Sequence, residues 1–254
     1  VSGGTLNAGE FPAPYVPHHR VTQTLQKVGT AFGWWRAPGS HSIAFAIQSF
    51  LHELSVAAGR DHLDFLLDIF RRAPAARPDH PATELNPARA IAVLEEAGRR
   101  AKWGTPLPRG EARGLAFHFS HRGHFAEVVR LGVDGSKRIN LHEITVVGDI
   151  GPVLNRSGAE AQVQGSINDA LSAMMAQRID IERGRVRQSN FHEYSLLRLP
   201  SAPRRIDVHF IESDFAPTGC GEPAWPPFAP AVCNAIYTLT GHRIRSLPLA
   251  DEGY

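Results

Sequence analysis

The spacing of apolar residues changes character along the chain, and the changes mark out its elements. After Ser40, a plausible N-cap, Ile43, Ile47, Phe50, Leu51, Leu54 and Ala58 recur at helical spacing until Gly59, which predicts a helix with that face buried. Asp61 to about Arg71 repeats the pattern with Leu63, Phe65, Leu66, Ile69 and Phe70. Asn86-Pro87 opens a third helix reaching Trp103, with Ile91, Leu94 and Ala97 inward and Glu95, Glu96, Arg99 and Arg100 as a solvated outer face. From Arg113 the period falls to two. Residues 114–120, 125–133 and 137–147 read as three strands of an antiparallel meander, joined by His-Arg-Gly-His and Asp-Gly-Ser turns. A helix from about Ala159 to Gln177 follows, then a hairpin turning at Arg183-Gly184, a strand over Arg205–Ile211, and a last helix from Pro227 to a stop at Gly241. Helices mixed with antiparallel strands make this an α+β chain.

The ends of this pattern carry less information. Residues 1–33 are rich in Gly and Pro and predict loops, apart from a strand near Val21–Val28, as in a segment that packs onto something larger. Four prolines, at 74, 78, 81 and 87, mark a break, so the chain divides into segments 1–80 and 81–254.

Composition narrows the functional classes. The chain has 254 residues, 43% hydrophobic and 20% charged, enough for a real core in one large or two modest domains. Its 27 basic and 25 acidic residues give a net charge of +2 without a basic run, so nucleic acid is not an expected partner. No apolar run approaches a membrane span. The first residues lack the pattern of a secretion signal, and a start at Val1 suggests a processed product. Cys220 and Cys233 allow at most one bridge, and packing is an equal alternative.

Candidate chemistry gathers at few places. Thr218-Gly-Cys-Gly-Glu-Pro223 presents a single carboxylate, Glu222, on a turn ahead of the last helix. Gly219 and Gly221 would allow unusual backbone and a close approach to a ligand, and Pro223 would stiffen the exit. The simplest alternative is an exposed loop glutamate. The loop from Arg36 to Ser40 lies at a helix N-terminus, a favourable place for an anion. Gln162, Gln164 and Asn168 could cap a helix or read the edge of a heterocycle, since an amide offers both donor and acceptor. His118, His121 and His124 raise the alternative of a zinc hydrolase, but no Cys or carboxylate nearby completes a tetrahedral set, and adjacent His18 and His19 point apart.

Taken in order, five stretches become specific: Trp35-Arg-Ala-Pro-Gly-Ser40 before an Ile-Gln-Ser-Phe helix; Asp149-Ile-Gly with Asn155; Ala161-Gln-Val-Gln-Gly165; Gln188-Ser-Asn-Phe-His-Glu-Tyr194; and Gly221-Glu-Pro223 with the following Pro-Pro-Phe-Ala-Pro-Ala-Val-Cys-Asn-Ala. Together they resemble the C-terminal part of the large, molybdopterin-binding subunit of molybdenum hydroxylases, most closely the isoquinoline 1-oxidoreductase β-subunit and related bacterial aldehyde dehydrogenases of the xanthine dehydrogenase superfamily. The resemblance implies an α+β segment of a molybdenum-cofactor-binding domain. It implies that Glu222 is the catalytic base, taking a proton from a hydroxide on the molybdenum. Cofactor contacts would come from Arg36, Ala37, Gly39, Gln162 and Gly221, with no metal ligand from the chain itself. Ala37-Pro38-Gly39 stands where relatives often have Gly-Phe-Gly, and Cys220 is a departure of unassigned role. A glutamate is generally ionised at neutral pH, so position matters more than a shifted pKa.

The implied reaction hydroxylates an aldehyde or N-heterocycle at carbon with oxygen derived from water, and the implied cofactor is molybdopterin, alone or as a dinucleotide. Two cysteines cannot hold an iron–sulfur cluster, so the [2Fe-2S] clusters are expected in a small partner subunit. The family's large subunits are far longer and carry a Gly- and Gln-rich cofactor loop not found here, so an N-terminal portion or a second large fragment is the other expected partner. The resemblance leaves the compartment between periplasm and cytoplasm, with the periplasm favoured by the family. A non-catalytic assembly module that keeps the fold is the competing reading.

Overall fold

In the computed structural model the described residues are 7, 9–27, 29–31, 33–73 and 84–254. Three long strands, β1 (Glu111–Ser120), β2 (Gly123–Val133) and β3 (Ile139–Asp149), form the expected antiparallel meander. A short hairpin, β4 (Ile181–Glu182) with β5 (Arg185–Val186), turns at Arg183-Gly184 and stands apart as its own small sheet. The strand β6 (Ile206–Phe210) then joins the main sheet beside β3, in parallel, giving the order β1-β2-β3-β6. The fold is thus α+β with a mixed sheet.

Both faces of this sheet are covered. On one face α4 (Arg156–Ala176) and α5 (Phe228–Thr240) pack over Ala116, Phe125, Val129, Ile144 and Val146. On the other, α2 (His62–Arg71) and α3 (Pro87–Arg100) cover Leu115, Phe117, Ala126, Val128 and Val147. The alternation of the strands assigns these two sets, since neighbouring residues point to opposite faces. Helix α5 approaches β1 so closely that a Cβ at Gly114 would lie 2.0 Å from the Ala231 carbonyl oxygen and 2.4 Å from the Ala235 nitrogen. Only glycine fits there. Two buried charges fasten the other face: Arg89 of α3 makes a bidentate pair with Asp149 at the end of β3, at 2.8 and 2.7 Å. Burial alone would raise the Asp149 pKa, but hydrogen bonds from Arg89, the Gly151 N–H and Ser213 overcome it and hold the carboxyl below its usual range.

Several expectations need correction. Helix α1 (Ser40–Ala57) is capped by Gly39, in a positive-φ conformation, with no side-chain cap from Ser40. Its buried face is Ala44, Gln48, Ser49, Leu51, His52 and Ser55, while Phe50 and Leu54 of the expected face stand exposed at 57% and 39%. The cause lies in β1, an edge strand whose free groups need partners: Gln48 Oε1 accepts from the Phe117 N–H at 3.1 Å. Asn234 of α5 donates to the Leu115 carbonyl on the same edge. Polar residues of α1 therefore face inward. No strand forms over the described residues 21–27, and Val28 lies outside the described residues. Pro74, Pro78 and Pro81, and with them the junction at 80/81, also lie outside them. Cys220 and Cys233 are both free thiols. Among the described residues no helix is long and apolar enough to cross a membrane.

Candidate functional site

The turn carrying Glu222 is held on three sides. Behind it α5 begins, and the Trp225 N–H donates to the Glu222 carbonyl at 3.0 Å. Beside it Pro223 lies against the β1–β2 turn, where a Cβ on Gly123 would come within 2.8 Å of the proline ring. In front of it stands the loop that opens α1. Ala37 in that loop is fully buried, with φ of 57°, a left-handed conformation that costs about 1 kcal/mol or more outside glycine. That conformation turns the Ala37 N–H toward Glu222 Oε1, at 3.2 Å.

Arg36 ties the three pieces together. Its Nε donates to the Gly221 carbonyl at 2.6 Å, and its Nη2 donates to both the carbonyl and the side-chain Oε1 of Gln162, at 3.1 and 3.2 Å. A Cβ at Gly165, about one turn beyond Gln162 on α4, would approach Arg36 Nη1 to 3.5 Å, so the guanidinium lies against that helix. Arg36, Ala37, Gln162, Gly221 and Glu222 thus meet at one place from three separated parts of the sequence. Gly39 lies two residues further on, where its carbonyl accepts from Ile43 N and Ser42 Oγ.

Gly219 and Gly221 do not have positive φ, contrary to the expectation for this turn. A Cβ at Gly219 would meet nothing within 4 Å, and one at Gly221 would meet only Gln162 Oε1, at 3.7 Å. Their lack of side chains leaves bare backbone on the surface beside Glu222. The strained backbone is instead at Ala37 and at the tip of the β1–β2 hairpin, where His121 and Arg122 have φ of 51° and 66°. Two successive positive-φ residues make the tight turn that matches strand twist.

That hairpin tip supplies the residue missed from sequence. His121 Nε2 lies 3.0 Å from Glu222 Oε2. The only sequence signal was its place among three histidines, which suggested a metal. The three do not converge, because His118 points to the α5 face of the sheet and His124 to the α3 face, where its Nε2 accepts from the Asn86 N–H at 3.0 Å. Among the described residues no group of three His, Cys, Asp or Glu is placed to hold a metal ion. His118 is buried, and desolvation with the neighbouring His121 lowers its pKa to about 3, so it stays neutral behind the turn. Cys220 packs its sulfur 3.9 Å from the Ala159 carbonyl, and burial raises its thiol pKa.

Aromatic side chains border the site. Trp225, hydrogen-bonded to Asp169 at 3.2 Å, meets His41 and Trp35 with centroids 5.1 and 6.0 Å away. The Glu222 side chain is 38% exposed. Two cavities, of about 1060 and 920 Å³, lie away from Glu222.

Residues 89–203 match the molybdopterin cofactor-binding domain. The chain is 26% identical over 245 residues to isoquinoline 1-oxidoreductase subunit beta of Brevundimonas diminuta, covering 95% of this chain and 29% of that one. It is 27% identical over 223 residues to the membrane-bound aldehyde dehydrogenase (pyrroloquinoline-quinone) of Gluconacetobacter polyoxogenes, covering 85% and 29%. Its fold superposes on the aldehyde oxidoreductase of Desulfovibrio gigas with a TM-score of 0.64 at 11% identity, over 85% of this chain and 40% of that one. Residues 89–203 thus carry the match to the molybdopterin cofactor-binding domain, and the chain is homologous to large or β subunits of molybdenum hydroxylases of the isoquinoline, xanthine and aldehyde dehydrogenase type. It spans about three tenths of the length of the two curated relatives described above.

Proposed function

We propose that this chain is the part of a molybdenum hydroxylase large subunit that supplies the catalytic base, Glu222, and one wall of the cofactor site. The observation that carries the reading is the meeting of Arg36, Gln162 and Glu222 around the Ala37 N–H, across 126 to 185 residues of sequence separation. A molybdenum cofactor fits the residues present. Arg36 offers cationic N–H donors to an anionic group, and Gln162, whose amide oxygen accepts from Arg36, has N–H groups to offer a heterocycle edge. The bare backbone at Gly219 and Gly221 admits close approach. A cofactor that brings its own metal also suits a site without a cluster of metal-ligating side chains.

The cofactor, when bound, supplies the redox centre that accepts two electrons from the substrate carbon. Everything else falls to side chains. Glu222 is held by the Ala37 N–H through Oε1 and faces His121 with Oε2, which fixes the carboxylate at both ends. The N-terminus of α1 adds a positive dipole end that steadies the charge. A proton taken at Oε2 sits 3.0 Å from the His121 imidazole, on an exposed hairpin tip from which it can pass to water. Arg36 fixes the turn through the Gly221 carbonyl, so its role toward Glu222 is positioning. In this reading the substrate is an aldehyde or N-heterocycle, the inserted oxygen comes from water, and the electrons leave to [2Fe-2S] clusters in a small partner subunit.

The test is Glu222→Gln in the assembled, cofactor-loaded enzyme. Turnover is expected to fall by about 10² to 10⁴, the span of general base catalysis, with cofactor content unchanged. Unchanged turnover would instead favour a non-catalytic module that retains the fold.

A further inference from the structure

Helix α1 buries polar residues and leaves part of its apolar stripe outside. Its inward face carries Gln48, Ser49, His52 and Ser55, buried with Ala44 and Leu51, while Ile43, Ile47, Phe50 and Leu54 form a stripe at helical spacing on an adjacent side, where Ile43 and Ile47 are half-buried, Ile47 against the core, and Phe50 and Leu54 are exposed. At 1.5 Å per residue that stripe runs for roughly 16 Å. It lines a groove of about 920 Å³ whose other walls come from the N-terminal segment and α2. Among the described residues fourteen large apolar side chains stand exposed, and seven of them fall between Val21 and Val56. They are Val21, Leu25, Trp34, Trp35, Phe50, Leu54 and Val56, with Leu25 and Trp34 exposed by 69% and 71%. An apolar concentration of this kind marks an interaction surface.

Three observations indicate what covers it. The polar inward face is anchored at two points: Gln48 Oε1 completes the β1 edge, and His52 accepts from Arg243 at 2.6 Å, so α1 cannot roll its stripe inward without stranding those groups. The patch is continuous with the candidate site, since Trp35 precedes Arg36 directly and meets Trp225 at 6.0 Å. The chain spans 29% of each of the two curated relatives described above, so such subunits contain further polypeptide to lay against this face. We propose that the α1 stripe, with Trp34 and Trp35 at its site end, is the surface on which the remaining large-subunit polypeptide docks, by an apolar face that also closes the open side of the Glu222 site. The inference rests on the proposed function for the identity of the occupant, and on the partly exposed stripe for its location.

The experiment supplies, as a separate chain, the polypeptide of the same organism that carries the rest of the large-subunit sequence, and measures its binding to this chain by titration and light scattering. Wild type is expected to form a 1:1 complex. The double variant Phe50→Glu, Leu54→Lys is expected to bind at least 100-fold more weakly while keeping its circular dichroism and melting temperature, because neither side chain belongs to the chain's own core. A control on another exposed apolar residue, Leu199→Glu, is expected to bind as wild type. Equal binding by the double variant would overturn the proposal, as would equal loss in the Leu199 control. Dimerisation of this chain through the stripe, or sedimentation with anionic lipid vesicles that the double variant abolishes, would replace the proposed occupant by a second copy or a membrane. The Glu222→Gln chain is expected to bind the partner normally, which separates failure of the docking surface from failure of the catalytic reading.

Discussion

At the scale of single residues, the Glu222 carboxylate is held at both ends, by the Ala37 N–H and by His121. His121 touches Glu222 at 3.0 Å from a hairpin tip whose backbone is already committed by two positive-φ residues. If it steadies the base and passes its proton outward, His121→Ala should lower kcat by about 10- to 100-fold, less than Glu222→Gln, with His121→Gln recovering part of it. A readout in the chain itself is amide exchange at Ala37, whose N–H should exchange faster in His121→Ala as the carboxylate loses its second anchor. Glu127 is the opposite case. It lies in the middle of β2, on the α5 face, fully buried with both carboxylate oxygens unpartnered, and desolvation raises its pKa well above normal. The folded state therefore keeps a proton that the unfolded chain releases above about pH 4.5. Stability should fall as pH rises past that point, by about 1.4 kcal/mol per unit until the folded pKa is reached. Glu127→Gln should flatten that slope and be the more stable protein at pH 8 in urea titrations.

Elements, by contrast, are fixed by how closely their backbones approach. Helix α5 rests on β1 at Gly114, where any Cβ would collide with helix backbone and not with a flexible side chain. Gly114→Ala should cost about 3 kcal/mol or more, read as a lower denaturation midpoint with unchanged slope, because relief requires moving the helix that carries the Glu222 turn. The period of the strands was legible in sequence for a simple reason: β1 to β3 are covered on both faces but still sort their residues into two cores by alternation. The buried side of α1 was not legible. Helical spacing identified the apolar stripe correctly, but the stripe does not show that an edge strand will claim the polar side. The parallel entry of β6 was equally hidden, since alternation predicts a strand and not its partner.

Across the whole molecule the two cores are bound together by α1 and α5. His52 and His62, rings 4.8 Å apart, sit in that junction beneath Arg243, whose guanidinium stacks on Tyr237. Desolvation, followed by the Arg243 charge, lowers the His52 pKa to about 4, and His62 is pushed well below its ordinary value by burial first and then by His52. Both are neutral when folded. The unfolded chain takes up protons below about pH 6.5, so stability present above that pH is lost as pH falls toward 4, by about 3 kcal/mol for His52 alone. An acid-unfolding midpoint that moves down in His52→Gln would bear this out; an unmoved midpoint would contradict it. Segments 1–80 and 81–254 both contribute to the core beneath α2 and α3, through Phe11, Leu66 and Phe70 on one side and Val93, Phe117 and Val128 on the other. Their unfolding as one unit is the natural expectation.

The sequence by itself determined the long helices and the three-stranded meander, the family resemblance, and Arg36, Ala37, Gln162 and Gly221 as companions of Glu222, because periodicity and ordered motifs are local properties read along the chain. Tertiary structure alone decided which residue faces Glu222, which side of α1 lies inward, and that Ala37 and His121 carry the backbone strain while the glycines beside Glu222 do not. Those are contacts between parts of the chain far apart in sequence. Their physical cause is the need to satisfy an edge strand and a buried loop at once, and no local pattern records it.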